Sequence, residues 1–309
     1  MAIHHLTLGD LLASAGPLGG TAADDVALID LDAGARPGVA PHPIQADAPG
    51  IVVGLTADAR PHEHPGAPAC DAVLPHGDPA RLDQLLATVA GAPLAARAFV
   101  VHMRAAPRPL EAGLDAESAV YSSLQAGPEF AAWRAGRPVR QREPLGEPVR
   151  LERAGPTLTI TLHRPEVRNA LNTAMRDALV EAFALPALDP SIEAVHLRGV
   201  GESFCSGGDL DEFGTFPDRV TAHLHGACAG SGIELPAFAG RVLAAPSTRL
   251  SLPELALGLI PGAGGTVSIT RRVGRHRTTR LGLTGESLDA ATALDWGLID
   301  AIGSVGSGP

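Results

Sequence analysis

The sequence predicts a layered α/β protein, with the sheet in its second half and a more helical first half. Two patterns carry that expectation. From Leu158 to Leu224, short apolar runs alternate with a stretch of helical periodicity and a glycine-rich turn, the succession of strand, helix and strand that a sheet with covering helices requires. From Pro79 to Ala106, apolar residues instead recur at intervals of three and four, as on the inner face of a helix. With 309 residues, 45% of them hydrophobic, the chain can bury a real core in one large domain or two ordinary ones. A polar, basic, proline-containing stretch from Arg134 to Glu147 reads as the linker, which divides residues 1–145 from 146–309.

In chain order, residues 1–50 are rich in Gly, Pro, Ala and Asp and hold one short strand candidate, Val26–Ile29; Ile51–Leu55 is a stronger one. Residues 59–76 carry His62, His64, Cys70 and His76. Prolines and a glycine separate these side chains and no helical or hairpin spacing gathers them, so the segment reads as a surface loop and no metal is expected. Leu82, Leu85, Leu86 and Val89 predict one helix, and Leu94–Met103 a second. Asp115 is a candidate N-cap for a third, with Val120 and Leu124 on one face and Phe130 and Trp133 extending the apolar surface. Residues 80–133 therefore form an amphipathic helical part, serving as ordinary core or as a docking face.

The second half is more regular. Leu158–His163 alternates as a half-buried strand that Arg164-Pro165 ends. Thr173–Phe183 has helical spacing in Met175, Leu179, Val180 and Phe183, capped by Asn172 or Thr173. Ala194–Arg198 is a strand that runs into a glycine-rich turn, Gly199–Asp209, and Val220–Leu224 is the next.

Charge and cysteine content exclude several classes of function. The net charge is −10 and argues against general nucleic-acid binding. There is no lysine, so Schiff-base chemistry and a phosphate-loop lysine are out, and anionic ligands must be met by arginine or backbone amides. Three widely spaced cysteines, Cys70, Cys205 and Cys228, fit reduced thiols better than a disulfide framework or zinc site. No apolar run is long enough to span a bilayer, and Met1–Gly20 has no basic start, sustained apolar run or clear cleavage signature, so a cytoplasmic protein is expected.

The chemistry concentrates between His225 and Thr266. Glu234 follows Gly230-Ser231-Gly232-Ile233, whose small residues let backbone amides approach a ligand. Glu254 follows Pro253 and precedes a second small-residue loop, Pro261–Gly265. Two carboxylates brought into one apolar pocket cannot both ionise freely, so one can hold a proton while the other accepts one. The plainer roles are a helix-start charge for Glu234 and a surface carboxylate for Glu254.

Five ordered motifs, HRPEVRNALN (163–172), ESFCSGGDL (202–210), HGACAGSGIEL (225–235), LSLPELALGLIPGAGGT (250–266) and LTGESLDAATALDWGLID (283–300), together resemble the crotonase, or enoyl-CoA hydratase/isomerase, superfamily. The resemblance implies a crotonase-like spiral of ββα units, an acyl-CoA thioester substrate, no cofactor beyond the coenzyme A of that substrate, and a homo-oligomer, trimer or hexamer. It places the oxyanion-hole amides at Gly208 and Ser231 and the two catalytic glutamates at Glu234 and Glu254, twenty positions apart as the pattern requires. It assigns coenzyme A contacts to Arg164, Arg168, Ala170 and Asp209. It implies hydration of a trans-2-enoyl-CoA, with isomerisation, another thioester reaction of the superfamily, or a non-catalytic acyl-CoA-binding subunit as alternatives.

Three departures from the family pattern shape the expectation further. Asp209–His225 is shorter by about one helix, one that usually helps line the acyl pocket. Pro236 stands just after Glu234, where the family runs into a helix. The motif series stops near Ile302, where the family continues into C-terminal helices, while Cys70–Phe130 resembles those helices; a circularly permuted arrangement of the fold is therefore expected.

Overall fold

The computed structural model describes residues 1–13, 25–33, 43–44, 48, 50–106, 108–136, 146–207 and 220–303. The first half opens with β1 (Ile3–Thr7), α1 (Leu8–Ala13), β2 (Val26–Asp30), β3 (Ile51–Thr56) and β4 (Ala72–Pro75). Four helices follow: α2 (Pro79–Gly91), α3 (Pro93–Arg104), α4 (Leu110–Gln125) and α5 (Pro128–Ala135). Next come β5 (Val149–Ala154), β6 (Thr157–Leu162), α6 (Thr173–Leu188), β7 (Ala194–Gly199), β8 (Val220–Leu224) and β9 (Ala227–Ala229). The chain continues through α7 (Ser231–Glu234), β10 (Arg241–Ala244), β11 (Arg249–Ser251), α8 (Gly265–Val273) and α9 (Arg275–Thr284). It closes with β12 (Leu288–Asp289), α10 (Ala290–Trp296) and β13 (Ala301–Ile302).

Two compact units interleave along the sequence. The first comprises residues 1–136 and takes back 253–260 and 274–286 from the second half. Its sheet is β1-β2-β3-β4, parallel throughout. Val26, Leu28, Ile51 and Val53 of that sheet share a core with Phe99 and Met103 of α3 and with Leu255, Ile260 and Leu283. Helix α2 starts where Asp78 accepts a hydrogen bond from the Arg81 N–H (3.1 Å) with Pro79 in the first turn, and α3 is capped by a remote carboxylate, Glu129, which accepts from the Leu94 and Ala95 N–H groups. The stripe Leu85, Val89, Ala96, Phe99, Val100 and Met103 is thus core. Residues 80–133 are not detached: α2, α3 and α5 pack with segments 254–257 or 275–284 inside this unit.

The second unit comprises residues 137–252, 261–273 and 287–309. Its six-stranded sheet has the order β13-β10-β8-β7-β6-β5 and is parallel except for the β5–β6 hairpin. A second sheet, β12-β11-β9, carries the strand that leads into α7. Asn172 caps α6 by accepting from the Met175 N–H at 2.9 Å, as its position before the helix predicts.

Several expectations change in detail. Helix α4 begins at Leu110, so Asp115 lies inside it and is no cap; Gly113, in its first turn, is buried. Val180 is 49% exposed, and the buried stripe of α6 runs through Met175, Leu179 and Ala182. Strands β1, β4 and β5 carry little sequence signal: β5 is a polar edge strand exposed on both faces after Val149, and β4 is four residues long and ends in proline. The linker core, 137–145, lies outside the described residues. Among the described residues no single helix is long and apolar enough to cross a membrane.

Candidate active site

Glu234 ends the single turn α7 and is 2% exposed. The turn gives way to a 3-10 turn, Pro236–Phe238, with the proline at its start. The Glu234 Oε2 accepts hydrogen bonds from the Ala263 and Gly265 N–H groups, each at 2.9 Å, at the N-terminus of α8. Charge-assisted bonds to backbone donors, with a helix N-terminus behind them, favour negative charge on this carboxylate. The close approach depends on Gly265: a Cβ there would lie 2.6 Å from Glu234 Cγ and Oε2. Ser268 Oγ donates to the Glu234 carbonyl at 2.7 Å and holds the backbone.

Ser231 opens α7, where the first amides of a helix have no partner within it. The segment just before Gly208 lies alongside. Cys205 forms a parallel bridge with Cys228, and a Cβ on Gly232 would stand 2.2 Å from the Cys205 carbonyl oxygen, so the two loops touch through backbone. Gly208 and Asp209 themselves, and the shortened segment after them, lie outside the described residues, which resume at Val220.

Glu254 belongs to the first unit, on a 3-10 turn, Glu254–Leu257. The residue is half-buried, but its Oε2 is sealed from solvent and has no hydrogen-bond partner. Burial, opposed in part by its own backbone N–H and reinforced by the nearby Glu117 carboxylate, raises its pKa from 4.5 to about 8. The two glutamates therefore occupy opposite environments, one rich in donors and one starved of them.

In the turn 163–171, the Arg164 guanidinium donates to the Ala170 carbonyl and braces the turn from within. Arg168 is exposed in a left-handed conformation (φ 53°), and its carbonyl accepts from the Ser206 N–H at 3.0 Å. Of His62, His64, His76 and Cys70, His64 and His76 both lie beside Asp32, at 3.7 and 3.5 Å, while Cys70 is fully buried and His64 Nδ1 accepts from the Gly66 N–H. His76 also neighbours Asp30, and the ligand atoms of Asp30, Asp32 and His76 lie within 4.8 Å of one another, while both oxygens of Asp32 already accept from Thr56 Oγ1 and the Ala57 N–H. All three cysteines are free and buried, and burial pushes the Cys205 thiol up to about 11, which suits a structural role.

The sequence profile of the enoyl-CoA hydratase/isomerase family matches residues 152–216 and 213–306. The protein is a member of that family, the crotonase superfamily. The two matched pieces meet inside the shortened Asp209–His225 stretch. The protein named "2,3-dehydroadipyl-CoA hydratase" of Escherichia coli is 33% identical over 165 residues, 47% of this chain and 65% of its own length. The "Probable enoyl-CoA hydratase echA8" of Mycobacterium tuberculosis is 31% identical over 176 residues, 50% of this chain and 68% of its own. A solved structure of EchA1_1 from Mycobacterium paratuberculosis aligns with 52% of this chain and 71% of its own at 35% identity, with a TM-score of 0.49. The chain thus spans about two-thirds of the length of such relatives.

In this crotonase-family chain, three supporting residues escaped sequence reading. Asn169 is fully buried at φ 54°; its Oδ1 accepts from the Arg164 N–H, and its Nδ2 donates to the Val200 and Ser203 carbonyls, tying the turn to the loop before Gly207. A left-handed Asn after a left-handed Arg is a local signal, but its partners lie 31 and 34 residues away. Gly265 was visible only as part of a small-residue loop. Glu117 carried no signal beyond its place on an amphipathic helix.

Proposed function

We propose that this protein hydrates trans-2-enoyl-CoA to 3-hydroxyacyl-CoA. What supports the reading is the contrast between its two glutamates: the Glu234 Oε2 accepts from two backbone N–H groups, whereas the Glu254 Oε2 is sealed without a hydrogen-bond partner and burial raises that carboxyl's pKa to about 8. Environments that push two carboxyls apart define a base and an acid. On this reading the amides of Gly208 and Ser231 take the thioester oxygen and polarise the conjugated double bond. Glu234 accepts a proton from water as its oxygen bonds to the β-carbon, and Glu254 delivers a proton to the α-carbon as the enolate collapses. Glu234 is left protonated and Glu254 ionised, and exchange with solvent resets both.

On this reading Arg168, exposed on the turn, meets phosphates of coenzyme A together with Arg164, Ala170 and Asp209, the first two of which share the turn 163–171 with it. The chemistry calls for no metal or redox cofactor, because backbone dipoles carry the enolate charge. The protein is read as a cytoplasmic homo-oligomer, trimer or hexamer, whose N-terminal helices stand for the C-terminal helices of its relatives in a circularly permuted arrangement.

Loss of the conjugated enoyl-thioester absorbance with crotonyl-CoA tests the reading in wild type, Glu234→Gln and Glu254→Gln. Each substitution is expected to lower kcat by about 10²–10⁴-fold. Turnover of a 3-enoyl-CoA that survives Glu234→Gln but not Glu254→Gln would favour isomerisation, which needs one well-placed proton carrier. A wild type that binds CoA esters but turns over none would make it a binding subunit.

A further inference from the structure

The carboxyl end of the first unit's sheet gathers side chains that the proposed hydration does not use. Strands β2, β3 and β4 run parallel and finish side by side, with Asp30 in register with Leu55 and Thr56 with Pro75. That edge is where open parallel sheets take their ligands. Asp30 closes β2, Asp32 stands two residues on, and His76 follows β4 directly, so the fold joins residues that no spacing in the sequence links. His76 Nε2 lies 3.4 Å from Asp30 Oδ1 and 3.5 Å from Asp32 Oδ2. We propose that Asp30, Asp32 and His76 form a binding site for one divalent transition-metal ion, Zn²⁺ or Mn²⁺, with water completing its coordination.

The spacing suits ligands that share an ion. Nitrogen and oxygen ligands each about 2.1 Å from zinc stand about 3.4 Å apart across a tetrahedral angle. The two His76 distances match that separation and are long for charge-assisted hydrogen bonds. Both carboxylates are held in place from behind: Asp30 Oδ1 accepts from the Asp32 and Ala33 N–H groups, and Asp32 accepts from Thr56 Oγ1 and the Ala57 N–H. Each oxygen keeps a second lone pair for an ion, and outer donors of this kind orient metal-bound carboxylates. The two negative charges have no fixed cation beside them. Among the described residues no arginine pairs with Asp30 or Asp32, and Arg60 of the next loop pairs with Glu63 instead. His64 supplies no charge either: its Nδ1 accepts from the Gly66 N–H, which leaves its proton on Nε2, facing Asp32 Oδ1 at 3.7 Å. One imidazole beside two carboxylates favours Zn²⁺ or Mn²⁺ over Mg²⁺ and Ca²⁺, which prefer oxygen alone. The bound ion joins the ends of β2 and β4 and, through Thr56 and Ala57, that of β3, so it stabilises the first unit and takes no part in the proposed hydration.

The test is calorimetric titration of the full chain, stripped with EDTA and dialysed, with zinc, manganese and magnesium chlorides, in wild type, Asp30→Asn and His76→Gln, with the melting temperature followed alongside. Wild type is expected to bind one equivalent of Zn²⁺ or Mn²⁺, more tightly than Mg²⁺, and to melt at a higher temperature as that ion is added. Each substitution is expected to weaken the binding by about tenfold or more and to remove the thermal gain. The His76 ring makes no hydrogen bond among the described residues, so His76→Gln keeps the test decisive if Asp30→Asn does not fold. No binding by wild type overturns the site, and so does Zn²⁺ binding that the folded variants retain unchanged, as it would at histidines elsewhere on the chain. Mg²⁺ bound as tightly as Mn²⁺ overturns the assignment to a transition metal. Binding and melting are read without turnover, so the outcome stands whether or not the chain acts on enoyl-CoA.

Discussion

Glu254 holds its proton in the fold at a pH where an unfolded chain has released it, and this ties one residue to the stability of the whole protein. Its pKa is raised on folding, from 4.5 to about 8, so its contribution to stability is fully present below about 4.5 and is lost as pH rises through the folded value. Between those limits the unfolded state binds fewer protons than the folded one, and stability falls with rising pH. Denaturant unfolding across this window is expected to show that decline in wild type and a flatter profile in Glu254→Gln, which has no carboxyl to titrate.

At the scale of elements, two glycines set how closely the segments of the candidate site approach, and they should fail differently. The three atoms nearest a Cβ on Gly265 all belong to the Glu234 side chain, so Gly265→Ala is expected to push the carboxylate off its amide donors while the backbone of α8 stays in place. The expected outcome is a large loss of kcat with little change in melting temperature. Gly232 meets the backbone of Cys205, which cannot swing aside, so Gly232→Ala must part the loop before Gly208 from α7. A cost toward the upper end of about 1–3 kcal/mol is expected in denaturant unfolding, together with lost activity. Asn169 shows the same dependence on a distant loop, because one amide side chain joins the turn 163–171 to residues 200 and 203.

At the scale of the molecule, the first unit is held by a buried ion pair as well as by its apolar core. Arg104 of α3 donates to both oxygens of Asp71, at 2.8 and 2.7 Å, and to the carbonyls of Ala48 and Gly50, while Asp71 Oδ2 also accepts from the Val52 N–H. Removing the Arg104 cation leaves the buried carboxylate with the longer Arg275 contact, 3.9 Å from Oδ1, and the Val52 N–H. Arg104→Ala is expected to cost about 3–5 kcal/mol, read as a lowered denaturant midpoint, and to disturb Glu254 indirectly because 253–260 belongs to the same unit.

The alternation of Leu158–Leu162, the helical spacing of residues 82–103, the Asn172 cap and the ordered motifs were all legible in the sequence, because each is a local preference of a few consecutive residues for one backbone and one buried face. They determined the fold class, the family and which glutamates to watch. The sequence could not tell that β4 and β5 exist, since a four-residue strand ending in proline and a polar edge strand are stabilised by their neighbours. Nor could it tell that residues 253–260 and 274–286 join the first unit rather than the second. The opposite characters of Glu234 and Glu254 were likewise decided only by tertiary structure. A carboxyl takes its proton affinity from the donors, charges and dry surface around it, and those come from Ala263, Gly265 and Glu117, residues that no local pattern connects to the glutamates they serve.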